Sequence, residues 1–315
     1  MSSLARDHIH GGNMSGVLLR ERGMRGEEDP PKLRFRLLGP LQVTRGPETL
    51  ELGPPKQRAL LAVLLLRPDM ETGVDQLTEA LWGMDYPAYA KNLIQKSVSG
   101  LRGLLAADGH DGDGVRLEWS GGGYRLDTGD ADVDLYTYER LASAGIAAAR
   151  DGEILKAARL LEEARTMSTG PLVEGLDGPM LERERLYRQE RFLADMEVRA
   201  ELELELGRHR NAVPYLYYAV HKYPLRERFV WLLMLALYRS DRGNEALTVY
   251  ADHRGRVVEE LGAEPGPSLR ALHAQLLLQD PQLMALSALR QDSGAAEDVP
   301  MPFPVSPLAR RGPFG

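Results

Sequence analysis

The chain contains no cysteine. Disulfide bridges and cysteine-ligated zinc are thereby excluded, and a reducing compartment suits the composition. Aromatic residues make up only 6%. No apolar run approaches the roughly 18 residues of a membrane helix. The longest, Ala59 to Leu66, reads as a core helix. The apolar triplet at 17–19 is cut off by Arg20, Glu21 and Arg22, which leaves no secretory h-region. A soluble, cytoplasmic protein with no membrane partner is expected. The seven histidines show no HxxxH or HExxH pairing, so no metal site is expected. GxSxG, GxGxxG and paired-carboxylate signatures are missing as well. Enzyme is therefore the weakest functional reading, and no cofactor is expected.

Acidic residues are missing from one stretch in particular. Residues 86–107, YPAYAKNLIQKSVSGLRGLLAA, hold Lys91, Lys96 and Arg102 without one Asp or Glu. The whole chain carries a formal net charge of -7, so this local surplus marks a place for a polyanion. Ile94, Val98, Leu101 and Leu105 recur at the spacing of a buried helical stripe. Asn92, Lys96, Ser99 and Gly103 fall nearly opposite, flanked by Lys91, Gln95 and Arg102. Such a helix packs on a core and still presents a face that fits a DNA major groove.

The surrounding pattern places this helix in a small domain. Residues 1–31 are polar and Gly-rich, and disorder is expected there. Short alternating runs over 33–52 read as an antiparallel sheet. Pro54-Pro55 open a helix that ends before Pro68. Thr72 to Asp75 read as a capping box for the helix DQLTEALWG. A short turn at 83–87 leads to the basic helix, beginning at about 88. Two helices joined by a short turn beside a third form a helix-turn-helix, with the last helix set to read DNA. After a loop at 108–114, VRLEW, SGGG and YRLDT read as a β-hairpin, a wing whose glycines at 121–123 open the backbone to phosphate.

From Asp134 to about Gln279 the pattern is helical throughout, with expected helices over 135–150, 153–167, 180–206, 210–222, 226–241, 244–261 and 268–279. Ala212 and Ala246 each follow a helix start and lie 34 residues apart, the tetratricopeptide period. The fold class expected is mainly α with a small β component. A winged helix-turn-helix over 32–130 precedes an all-α tetratricopeptide-like repeat domain over 131–280, between tails at 1–31 and 281–315. The last of these is Pro-rich.

The ordered motifs FRLLGPLQV, GPPKQRALLAVLLL, VDQLTEALWG, AKNLIQKSVSGLRGLL and GGGYRLDTGDADVDLYTYERL fill the first half. GPLVEGLDGPMLERERL, LGRHRNAVPYL, YPLRER and LLMLALYRSDRGNEALTVYADHRGRVVEELGAEPGPSLRALHAQLL follow. From about Leu33 to Leu278 this order resembles the SARP family, the Streptomyces antibiotic regulatory proteins. The resemblance implies an OmpR-type winged helix followed by a bacterial transcriptional activator domain. It implies binding of direct repeats in double-stranded promoter DNA by a side-by-side homodimer. It also implies recruitment of RNA polymerase holoenzyme, including its sigma subunit, to biosynthetic gene clusters. Lys91, Asn92, Gln95, Ser99 and Arg102 match the family's recognition helix. Lys91 and Gly100 stand where arginine is usual, and Ser120 replaces an arginine on the wing.

Each assignment has a plainer competitor. Lys91, Lys96 and Arg102 are either DNA contacts or a solvated face, with Asn92, Gln95 or Lys96 reading base edges in the first case. Lys56 and Arg58 either touch phosphate or meet solvent. Thr72 is a cap or a phosphate contact. Ser120, Gly121 and Gly122 form the wing tip that would approach the backbone of DNA. Tyr215, Tyr217, Tyr218, Tyr223 and Tyr250 either line a concave groove or pack between helices. The Glu/Arg run over 182–205 reads as a surface helix with i,i+4 pairs, or as a docking face for polymerase. Two further functions stay open: a protein-interaction scaffold and a ligand-sensing regulator, both using the helical domain.

Overall fold

A computed structural model describes residues 32–105 and 114–284. The tails at 1–31 and 285–315, and most of the expected loop at 108–114, lie outside the described residues. Three short strands open the chain: β1 (Leu33–Arg36), β2 (Gln42–Arg45) and β3 (Glu48–Thr49). β1 and β2 pair antiparallel, and the alternation buries Leu33, Phe35 and Val43. Helix α1 (Pro55–Leu65) starts on its proline and is buried without a break from Ala59 to Leu65, as its apolar run requires. Strand β4 (Thr72–Gly73), α2 (Val74–Trp82) and α3 (Ala90–Leu105) follow.

Thr72 does not cap α2, which corrects the capping-box reading. It pairs with Tyr124 in the wing sheet and is fully buried. Gly73 sits at the helix start instead, and its N–H donates to Gln76 Oε1 at 3.1 Å. Sheet pairing has taken the residue that local sequence offered to the helix.

The hairpin of β5 (Arg116–Ser120) and β6 (Gly123–Asp127) turns through Gly121 and Gly122, with φ of 58° and 99°. Both turn positions lie in the left-handed region, which matches a two-residue hairpin loop. At Gly123 a Cβ would fall 2.6 Å from the Thr72 carbonyl, so glycine there permits the approach of β6 to β4. The short strand β7 (Asp132–Val133) then adds parallel to β1.

The rest is helical: α4 (Asp134–Arg150), α5 (Ile154–Met167), α6 (Pro179–Glu205), α7 (His209–Lys222), α8 (Glu227–Tyr238), α9 (Gly243–Leu261) and α10 (Pro267–Leu277). Ala212 and Ala246 occupy the fourth position of α7 and of α9, and both are fully buried. The 34-residue period is thus realised as two successive helix pairs, α7–α8 and α9–α10. The ordered chain continues past Pro281 as a 3-10 turn (Pro281–Met284) with Leu283 buried, so the C-terminal tail does not begin at 281. Arg239 Nε donates to the Leu283 carbonyl at 2.7 Å and holds that turn.

One apolar core runs from Leu33 through Leu181 and takes in Leu202, and a second runs from Leu193 to Leu283, with the long α6 contributing to both. The first core joins the winged helix to α4 and α5. Asp134 accepts the N–H of Leu37 at 2.8 Å and of Leu38 at 3.0 Å. Burial pushes its carboxyl above the ordinary value, and those two amides pull back. The Tyr136 hydroxyl donates to the Leu65 carbonyl at 2.6 Å, and the Thr169 hydroxyl to that of Leu38 at 2.7 Å. Bridges Leu38–Leu172 and Pro40–Glu174 extend the first sheet with the segment before α6. Helix α3 is therefore fixed to a body larger than the hairpin and three helices around it.

The charged run on α6 pairs mostly across helices, not along its own surface. Arg199 meets Glu162 of α5 at 2.8 Å, Arg226 meets both Glu190 and Glu197 at 2.6 Å, and Arg228 meets Glu201 at 2.6 Å. Arg185 turns inward to the carbonyls of Leu172, Val173 and Leu176. The tyrosines share no single groove. Tyr250 is buried and stacks on His273 at 3.8 Å, Tyr215 lies under Arg199 at 4.3 Å, and Tyr217 and Tyr218 are exposed. Among the described residues, no helix is long and apolar enough to cross a membrane, and no acidic, histidine or cysteine group is set to hold a metal.

Candidate nucleic-acid interface

Helix α3 seats on the body through Ala90, Ile94, Ser97, Val98, Leu101 and Leu105. Its apolar stripe lies where the spacing put it, with Ala90 and Ser97 added. Lys91, Asn92, Gln95, Lys96, Ser99, Arg102 and Gly103 are exposed on the outer side, and the helix carries no acid. Its C-terminal end is tied down. Arg45 from β2 donates through Nη2 to the Leu105 carbonyl at 3.1 Å, which satisfies one of the open carbonyls of the last turn. Gly100 faces α1, where a Cβ would meet the Gln57 amide at 2.6 Å. Glycine at this position lets Gln57 reach the Leu52 carbonyl at 3.0 Å, a local use for a residue unfavourable in a helix.

The cations of the region differ in how free they are. Lys96 makes no ion pair or hydrogen bond among the described residues. Lys91 Nζ sits 2.6 Å from Asp75 Oδ1 on α2, and the hydrogen bond to that carboxylate, together with its charge, raises the lysine above its ordinary value. Arg102 is engaged with the wing. Its Nε donates to the Leu117 carbonyl at 2.7 Å, and its guanidinium lies 5.9 Å from the Tyr124 ring centre. Lys56 donates to the Leu81 carbonyl at 2.7 Å and sits over the Trp82 ring at 5.1 Å, so it binds α1 to α2 and is not held toward solvent. Arg58 is half-buried, with its Nε enclosed and without a partner. Thr72, being fully buried, leaves the set of residues a ligand reaches, because strand pairing with β6 covers it.

At the wing tip, Gly122 has open space around it. Gly121 packs on Glu71, whose carboxylate would overlap any Cβ placed there. The same carboxylate accepts the Ser120 hydroxyl at 2.5 Å. Periodicity along single elements did not bring Glu71 and Asp75 to this surface. Both lie at or just before α2, and only the packing of α2 against α3 and the wing sets them beside Lys91 and Ser120. Trp119 is likewise exposed, on β5. Its alternation with Leu117 was legible, but its exposure depends on where the body ends.

The arrangement is a three-helix body presenting an acid-free helix next to a two-stranded wing, the geometry of a winged helix. Residues 48–126 match the family model described as transcriptional regulatory protein, C terminal, and residues 133–277 match the bacterial transcriptional activator domain. Regulatory protein AfsR of Streptomyces coelicolor is 38% identical over 290 residues, covering 91% of this chain and 29% of that protein. The chain thus spans less than a third of that relative. Regulatory protein DnrI of Streptomyces peucetius is 31% identical over 254 residues, covering 79% of this chain and 93% of DnrI. A solved structure of Mycobacterium tuberculosis EmbR in complex with a low-affinity phosphopeptide aligns with a TM-score of 0.73 at 34% identity, over 82% of this chain and 69% of that one. With an OmpR-type winged helix leading into an activator domain of helix pairs, and with a relative matched over nearly its whole length, the chain belongs to the SARP family of transcriptional regulators.

Proposed function

We propose that this regulator is a sequence-specific DNA-binding activator, a binding protein and not an enzyme. Helix α3 lies in the major groove of promoter DNA, and the wing meets the flanking backbone. Asn92, Gln95, Lys96 and Ser99 face the bases and the nearest phosphates. Lys91 joins them once it leaves Asp75. Two protomers bind direct repeats side by side in a head-to-tail contact. The bound pair recruits RNA polymerase holoenzyme through its sigma subunit to a secondary-metabolite gene cluster. One observation carries the reading: a whole helical face without an acid, on a chain of net charge -7, beside a hairpin at wing position.

The test is footprinting and gel shift on the promoters of the protein's own genomic neighbourhood over a salt series. A protected pair of direct repeats is expected. The logarithm of affinity should fall with that of salt by about 0.9 per phosphate neutralised. Adding polymerase holoenzyme should extend the footprint toward the start site. Absence of specific protection at low salt, with and without holoenzyme, would overturn the proposal.

A further inference from the structure

Trp119 is exposed where the pattern of its strand would bury it. On the hairpin, Leu117 pairs with Leu126 and Trp119 with Tyr124, so all four side chains share one face. Leu117, Leu126 and Tyr124 are buried, whereas Trp119 is 55% exposed. Its ring stands edge-on to Tyr124 at 4.9 Å and 78°. Arg102 of α3 also lies against Tyr124, 5.9 Å from the ring centre, and is bonded to the Leu117 carbonyl. A row of Arg102, Tyr124 and Trp119 therefore runs without a gap from the reading helix onto the wing.

Near its tip the rest of the wing offers little to a polyanion; the exposed Arg116 stands at the far end of β5. The tip is Ser120, Gly121 and Gly122, with the Glu71 carboxylate against it. On the opposite face of the hairpin Arg125 is paired with Glu118 at 3.6 Å. A wing that meets DNA without a free cation at its tip needs another kind of contact. The one large side chain available, held in a fixed orientation and continuous with α3, is the indole.

We propose that Trp119 is a DNA-contacting residue. Its indole lies against the deoxyriboses and base edges beside the groove that α3 enters, and its N–H donates to an acceptor there. This rests on the DNA-binding reading above. An indole presents an apolar face to sugar carbons and a donor edge to phosphate or base oxygens. Apolar side chains of architectural proteins use base steps in a related way. Such a contact releases no counterion. It adds affinity without adding to the salt slope, which separates it from a lysine contact.

Of the chain's three tryptophans, Trp231 is buried and Trp82 is half-buried beneath Lys56, so Trp119 is the most open to a quencher, and the quenching lost in Trp119→Ala reports its share. The experiment uses the full chain and a duplex carrying the footprinted repeats, with acrylamide quenching of tryptophan emission and affinities over a salt series. DNA is expected to shield the quenchable emission. Trp119→Ala should lose about tenfold in affinity, the equivalent of burying roughly half of the open indole surface, with an unchanged salt slope. Trp119→Phe should lose less. Lys96→Ala serves as the contrast, with a slope shallower by about one. If wild type binds the repeats while Trp119 stays quenchable and both variants bind normally, the inference is wrong and the DNA-binding reading stands. Shielding that appears only after polymerase is added also overturns it, in favour of a protein contact. Failure of wild type to bind any duplex removes both readings together.

Discussion

Arg102→Ala separates two roles that the same arginine could play at this surface. As a phosphate contact it would add one counterion to the salt slope and little to folding. The geometry assigns it instead to the joint between α3 and the wing, through the bond to Leu117 and the contact with Tyr124. A hydrogen bond from a charged donor contributes about 1.5–3 kcal/mol when well buried. Arg102 is exposed, so about half of the lower figure is appropriate, together with about 0.5 kcal/mol for an exposed cation–π contact. The loss should total about 1–2 kcal/mol. For a body of this size each kcal/mol moves the melting temperature by about 2–4 °C. Calorimetry of Arg102→Ala should therefore show a drop of about 2–8 °C. DNA affinity should fall because the wing is no longer held, while the salt slope stays at the wild-type value. Arg102→Lys, which cannot reproduce the directed Nε bond, should behave like alanine in the melt. An unchanged melting temperature with a slope shallower by about one would refute the strut and restore the phosphate contact.

Two further outcomes follow from charges the packing has placed. Asp75→Asn frees Lys91 from its carboxylate partner, so affinity at low salt should rise a few fold and the salt slope should steepen by about one; titration by fluorescence anisotropy checks both, and an unchanged slope means that Lys91 stays off the phosphates. Asp195 is 8% exposed and accepts the Tyr138 hydroxyl at 2.7 Å. Burial holds its folded carboxyl above the ordinary 3.8, so the unfolded chain ionises first. Stability is then lost as pH rises from 3.8 through the folded value. Asp195→Asn keeps an acceptor for Tyr138 and removes that loss. Its melting temperature at neutral pH should rise by about 2–4 °C, and thermal melts across pH should show a flatter decline than wild type.

Much of this protein was legible from single elements. The stripe Ile94, Val98, Leu101 and Leu105 fixed which side of α3 is buried, because a 3.6-residue period leaves one choice. The glycines after Ser120 specified a tight hairpin, since its two turn residues need positive φ. The 34-residue spacing of Ala212 and Ala246 gave the helix pairs, because each repeat must bury the same small contact against its neighbour.

What single elements do not carry is which partner claims each polar group. Thr72 had the chemistry of a cap, and a strand from residues 123–127 took it into a sheet. Lys56, Lys91 and Arg102 looked alike as free cations along the chain. Their fates are a carbonyl of α2, a carboxylate of α2 and a carbonyl of the wing. The Glu/Arg run of α6 suggested pairs four residues apart and instead mostly binds neighbouring helices. Backbone periodicity is local and is written in consecutive residues. Long side chains choose among partners that are distant in sequence, so which cations stay exposed and unpaired on α3 was decided only when α1, α2, α3 and the wing were brought together.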